Sequence, residues 1–194
     1  MASWWEKALN SGYYEKRGFV SEYPSAAGFV PAHSNNFTKM SRSASDITLI
    51  VIHITGGDTA GSAINTFAAE DNPNHTSAHY IVGRTGKIYQ TVWEKDRAHH
   101  AGSANRRSIG IEHVADNRTN YPTQEQYNAS AALVLYLCRK YSIPADREHI
   151  MGHQEVITTS HNCPGPYWDW AEYMRTISIV RTLINLGPLL PLLP

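Results

Sequence analysis

The chain has 194 residues, and its 17 Lys+Arg balance 17 Asp+Glu, so with neutral histidines the formal net charge is zero. That length suits one domain with one sizeable core and a small appendage. The balance argues against nucleic acid as the main partner, because phosphates call for a net basic face, and no apolar run reaches the roughly 18 residues of a membrane span.

The first residues, Met1-Ala2-Ser3-Trp4-Trp5-Glu6-Lys7, mix charges, aromatics and polar groups. No secretory signal is read there. The protein is expected to be made in the cytoplasm, with Cys138 and Cys163 as free thiols. Residues 1–45 are rich in Tyr, Ser, Asn and Pro without a sustained period. Trp4 to Leu9 reads as a short helix, and the rest as an irregular arm. Its aromatics, among them Trp5, Tyr14, Phe19 and Phe29, are costly in water, so the arm is expected to pack on the main domain.

Residues 46–186 read as that domain. Ile47 to Ile54 is a nearly continuous β-branched run, the signature of a buried central strand. Thr55-Gly56-Gly57 stops it, and Asp58 or Thr59 caps a helix running to about Glu70. Ala78–Val82 and Lys87–Val92 form an expected hairpin around Arg84-Thr85-Gly86. Ser108 to Val114 is a further strand. Its alternation puts Ser108, Gly110 and Glu112 on one face and Ile109, Ile111 and His113 on the other. Thr123 and Gln126 make a capping box for a helix whose buried face includes Tyr127, Ala131, Val134, Cys138 and Tyr141. His149 to Gly152 reads as a short strand and Tyr167 to Leu186 as a second long helix. The tail, residues 187–194, alternates Pro and Leu and cannot continue that helix. The order predicts an α/β fold with a mixed central sheet flanked by helices.

Ten histidines in this length call for an explanation. His53 ends the apolar strand, at the edge where α/β sheets gather ligands. His153 and Cys163 flank a polar loop. Two imidazoles and a thiolate with a fourth position open would make a catalytic zinc site. Spacing alone leaves the alternative of packed histidines and a structural thiol.

Four segments occur in order: TLIVIHIT, TSAHYIVGRTGKIYQTV, AHHAGSANRRSIGIEHV and MGHQEVITTSHNCPGPYWDW. Together they resemble the zinc-dependent type-2 N-acetylmuramoyl-L-alanine amidases, a class that includes phage amidases, muropeptide-recycling amidases and peptidoglycan recognition proteins. The resemblance covers about residues 46–178. It implies a peptidoglycan recognition protein-like amidase fold and one Zn2+ held by His53, His153 and Cys163. It also implies Glu112 as the acid–base group and His161 facing the developing oxyanion, a place where relatives carry Lys or Thr. For His161 a solvated loop histidine is the equal alternative. Ala78 stands where some phage relatives have an assisting tyrosine, which shifts the burden to Glu112. His100, Asn105 and Arg106 are candidates for substrate contact, with a structural role open for His100.

The implied reaction is hydrolysis of the amide between N-acetylmuramic acid and L-alanine in peptidoglycan or a muropeptide. The elaborated arm favours a phage or prophage endolysin that acts on the wall after release. A non-catalytic peptidoglycan-binding module and a cytoplasmic anhydro-muropeptide recycling amidase are the alternatives. A monomer is assumed.

Overall fold

The computed structural model describes residues 2–158 and 162–186. Five α-helices are found among them: α1 (Trp4–Asn10), α2 (Ala60–Ala68), α3 (Gln124–Tyr141), α4 (His153–Val156) and α5 (Trp170–Leu186). The strands are β1 (Gly28–Phe29), β2 (Phe37–Thr38), β3 (Leu49–Ile54), β4 (Tyr80–Val82), β5 (Ile88–Gln90), β6 (Arg97–Ala98), β7 (Ser108–His113) and β8 (Ile150–Gly152). Six of them form one mixed sheet in the order β1-β5-β4-β7-β3-β8, and β2 pairs with β6 beside it. Only β4 and β5 run antiparallel within the large sheet.

Local chemistry explains the element ends. The Thr59 hydroxyl caps α2 by accepting from the Ser62 N–H. Thr123 and Gln126 close the expected capping box on α3. Helix α5 starts later than its sequence pattern suggests, because the Asp169 carboxylate accepts from the Glu172 N–H and fixes the first turn there. Gly86 turns the β4–β5 hairpin with φ of +80°, a conformation open to glycine. Among the described residues, no helix is long and apolar enough to cross a membrane.

The sheet is buried on both faces. Ile50, Ile52, Ile109 and Ile111 pack with Leu133, Leu137 and Tyr173 of α3 and α5. Trp5, Tyr14, Val30, Ile64, Phe67 and Ile81 form a second cluster on the side of α2. Residues from the N-terminal forty thus contribute aromatics to that second cluster, and β1 contributes an edge strand. Polar groups bind the same region further. The Gln90 side chain accepts from the Glu22 N–H at 2.7 Å and donates to the Glu22 carboxylate at 2.6 Å. The buried Glu94 carboxylate takes hydrogen bonds from the hydroxyls of Tyr80 and Tyr141 and pairs with Lys140 at 2.8 Å.

Candidate active site

Three neighbouring parallel strands, β7, β3 and β8, end at the same edge. Their register sets His53 directly beside Glu112, and Ile52 beside Gly152, the residue before His153. Alternation along β3 and β7 keeps isoleucines on the helix-packed face and turns His53 and Glu112 to the other. There they line a cleft of about 670 Å³ with His153 and Cys163.

The cleft holds the one group of three or more potential metal donors found among the described residues. Ligand atoms of His53, His153 and Cys163 all lie within 4.8 Å of one another. Cys163 Sγ is 3.8 Å from His53 Nδ1. The His53 and His153 ring centroids are 4.7 Å apart. A tetrahedral zinc with bonds of about 2.1 Å to nitrogen and about 2.3 Å to sulfur separates those two donors by about 3.6 Å, so the spacing suits the ion. The main chain supports it, since the Gln154 N–H at the start of α4 donates to the Cys163 carbonyl at 3.0 Å. That bond ties the thiol's residue to the helix that carries His153.

Electrostatics point the same way. Burial, and after it the charge of Glu112, pushes the Cys163 thiol up to about 12. A thiolate there needs a cation to hold it. Burial alone pushes Glu112 up to about 8, and its Oε2 is buried without a hydrogen-bond partner in the protein. An orphaned carboxyl oxygen costs free energy unless something else in the cleft engages it. His53 is held well below the usual imidazole range by burial and then by His100, which keeps the ring neutral and able to donate a lone pair.

Of the other residues singled out from the sequence, His100 lines the cleft and contacts His53, with 3.0 Å between its Nδ1 and His53 Nε2. Asn105 and Arg106 are not among the cleft-lining residues. The Asn105 side chain is turned inward, its Oδ1 accepting the main-chain N–H groups of His100 and Ala101, at 3.0 Å for His100. The Arg106 carbonyl accepts from Arg42 at 3.2 Å. His161 lies outside the described residues. His79 is a packed residue, with its Nδ1 accepting from the Gly110 N–H at 3.0 Å.

Sequence reading missed part of the cleft wall. Asp116, Asn117 and Arg118 follow β7 and border the site. Asp116 folds that loop by accepting the N–H groups of Arg118, Thr119 and Asn120 at 2.7, 2.7 and 3.0 Å. The signal available was Asp-Asn three residues beyond a strand end, a turn marker at the edge where ligands bind. Arg42 was missed too. It is almost fully buried and donates to the carbonyls of Asn105, Arg106 and Ser108, clamping the turn that leads into β7.

A mixed sheet whose carboxyl edge gathers two imidazoles, a thiol and an orphaned carboxyl oxygen offers the donors that a hydrolytic metal centre would use. Residues 43–166 match the family described as N-acetylmuramoyl-L-alanine amidase. The chain belongs to that family of enzymes. It is 32% identical over 123 residues to the 1,6-anhydro-N-acetylmuramyl-L-alanine amidase AmpD of Haemophilus influenzae, a match spanning 59% of this chain and 65% of that one. It is 30% identical over 169 residues to N-acetylmuramoyl-L-alanine amidase A of Achromobacter lyticus, spanning 76% of this chain and 91% of that one. Among solved structures, a selenomethionine AmpD derivative superposes with a TM-score of 0.67 at 26% identity, covering 81% of this chain and 98% of that one.

Proposed function

We propose that this protein is a zinc-dependent amidase that cleaves the bond between the lactyl group of N-acetylmuramic acid and the L-alanine of a stem peptide. The observation that carries the reading is the convergence of His53, His153 and Cys163 beside the Glu112 carboxyl, whose buried Oε2 has no hydrogen-bond partner in the protein. His53, His153 and Cys163 would hold the ion. Zinc at that point supplies positive charge that acidifies water and polarises the amide carbonyl. The protein's own contribution is proton handling and positioning. Glu112 accepts a proton from the attacking water, the unpartnered Oε2 being the available atom, and returns it to the departing alanine nitrogen. The loop of Asp116 to Arg118 and the α2 side chains Thr66 and Phe67 also line the cleft and would orient the muropeptide.

A second set of observations favours a small substrate. The endolysin expectation rested on the N-terminal arm being an addition to a minimal enzyme. In the structure that region supplies a sheet strand and buried aromatics, so it serves the fold itself. Six of the relatives, at 32–33% identity for five of them, are named as anhydro-muropeptide amidases. A soluble anhydro-muropeptide is therefore the first substrate to try, and intact sacculi the second.

The deciding experiment is mass spectrometry of both substrates after incubation with the protein, with and without a zinc chelator. Free peptides beginning with L-alanine, lost on chelation and restored by zinc, are expected from the anhydro-muropeptide. Equal or faster release from sacculi would restore the lytic reading. Cleavage within the stem peptide, or tight binding without products, would overturn the amidase reading.

A further inference from the structure

The hydrogen-bond chain behind His53 has a direction, set by a main-chain carbonyl two side chains away. Ser108 Oγ donates to the Ala104 carbonyl at 2.7 Å, which commits its only proton. His100 Nε2 lies 3.2 Å from that same oxygen, so the ring nitrogen must be the donor. In a neutral imidazole the other nitrogen, His100 Nδ1, is then an acceptor. It sits 3.0 Å from His53 Nε2, which must carry a proton to meet it. His53 Nδ1 is left with its lone pair, and that is the atom 3.8 Å from Cys163 Sγ.

The surroundings hold His100 in place for this task. A Cβ at Gly110 would lie 2.6 Å from His100 Cγ and Nδ1, so the ring rests on the bare backbone of β7. The His100 main chain is pinned through its N–H to Asn105 Oδ1. Glycine at 110 is thus explained by side-chain packing, with no demand from its own backbone angles.

We propose that His100 is a positioning residue that fixes the Nε2–H tautomer of His53 and so aims the Nδ1 lone pair at the point shared with His153 and Cys163. The claim rests on the zinc reading above for its consequence, while the tautomer itself can be read without any metal. It takes up the structural role that the sequence left open for His100 beside substrate contact. Partners of this kind orient ligating imidazoles, and losing one typically weakens metal binding by about 10- to 100-fold.

The test uses the full-length protein at pH 7.5 and three variants. His100→Leu removes the acceptor, His100→Asn restores an acceptor near the Nδ1 position, and Ser108→Ala removes the group that orients His100. Long-range 15N–1H spectra of the zinc-free protein are expected to show His53 as the Nε2–H tautomer in the wild type and in His100→Asn. In His100→Leu the two tautomers should mix. Zinc affinity, measured by competition with a chromophoric chelator, should fall about 10- to 100-fold in His100→Leu. It should largely recover in His100→Asn and fall by a smaller factor in Ser108→Ala. An unchanged tautomer and unchanged zinc affinity in His100→Leu would overturn the proposal, and a raised KM alone would return His100 to substrate contact. If His100→Leu fails to fold, Ser108→Ala carries the same two readouts. A wild-type protein that takes up no zinc yet shows the fixed tautomer would refute the zinc reading and leave the relay standing.

Discussion

Glu112 and His113 are adjacent on β7, His113 fully buried and Glu112 half-buried at the cleft wall, and they lead opposite lives. His113 faces α3 and α5. Its Nδ1 donates to the His53 carbonyl at 3.1 Å, and its Nε2 accepts from Ser130 Oγ at 2.8 Å, which in turn lies 2.6 Å from the Tyr173 hydroxyl. The ring packs 4.6 Å from that of Trp168. Every polar atom has a partner, and burial drives its pKa down to about 4, so it is held neutral. Glu112 faces the cleft with one oxygen unpartnered and its pKa driven up to about 8. The lesson is that burial alone does not mark a working group. A buried polar side chain whose hydrogen bonds are complete is structural, and one left incomplete at a cavity wall awaits a substrate, a water or an ion.

That contrast can be broken on the cleft side first. Cys163→Ala removes one of the three donors, so zinc content by elemental analysis and amidase turnover should both fall below detection. The zinc-free variant should keep the circular dichroism spectrum of the parent. Retained zinc with full turnover would dissolve the proposed ligand set. Glu112→Gln is the finer cut. It should retain stoichiometric zinc while turnover drops by about 100- to 10,000-fold, the range typical of a lost proton-transfer group. A variant that keeps most of its rate would move the proton chemistry to another residue.

On the helix side the expected effect is on stability. Burial lowers the His113 pKa to about 4 in the folded protein, from the ordinary imidazole value of 6.5. The unfolded chain therefore takes the proton first as pH falls. The stability provided by the neutral ring is fully present above about pH 6.5 and is lost as pH falls toward about 4. Over that window it amounts to on the order of 3 kcal/mol. Urea unfolding of the zinc-free protein at a series of pH values should show the decline. His113→Gln should flatten it while leaving the zinc stoichiometry of the loaded protein unchanged. A decline of equal size in the variant would assign it to other groups.

Much of this was legible in the chain because local signals are short-range. The β-branched run ending in His53, the Thr123–Gln126 capping box and the alternation around Glu112 each depend on neighbours within a few residues. Order along the chain and resemblance then grouped His53, Glu112, His153 and Cys163 before any coordinates. What the chain could not disclose was set by register and by contacts between distant segments. The parallel pairing of β7, β3 and β8 places Glu112 beside His53 and brings His153 alongside. The buried Arg42 clamps a turn more than sixty residues away. The Asn105 side chain is engaged by two main-chain N–H groups of a neighbouring turn, a contact its place in the sequence did not announce. The tautomer of His53 is a tertiary property of the same kind. It is decided by a serine, a glycine and a carbonyl that meet only when β7 and the turn before it are folded together. Composition and periodicity specify which groups are present and which face they take, while hydrogen-bond direction exists only once their partners share a place in space.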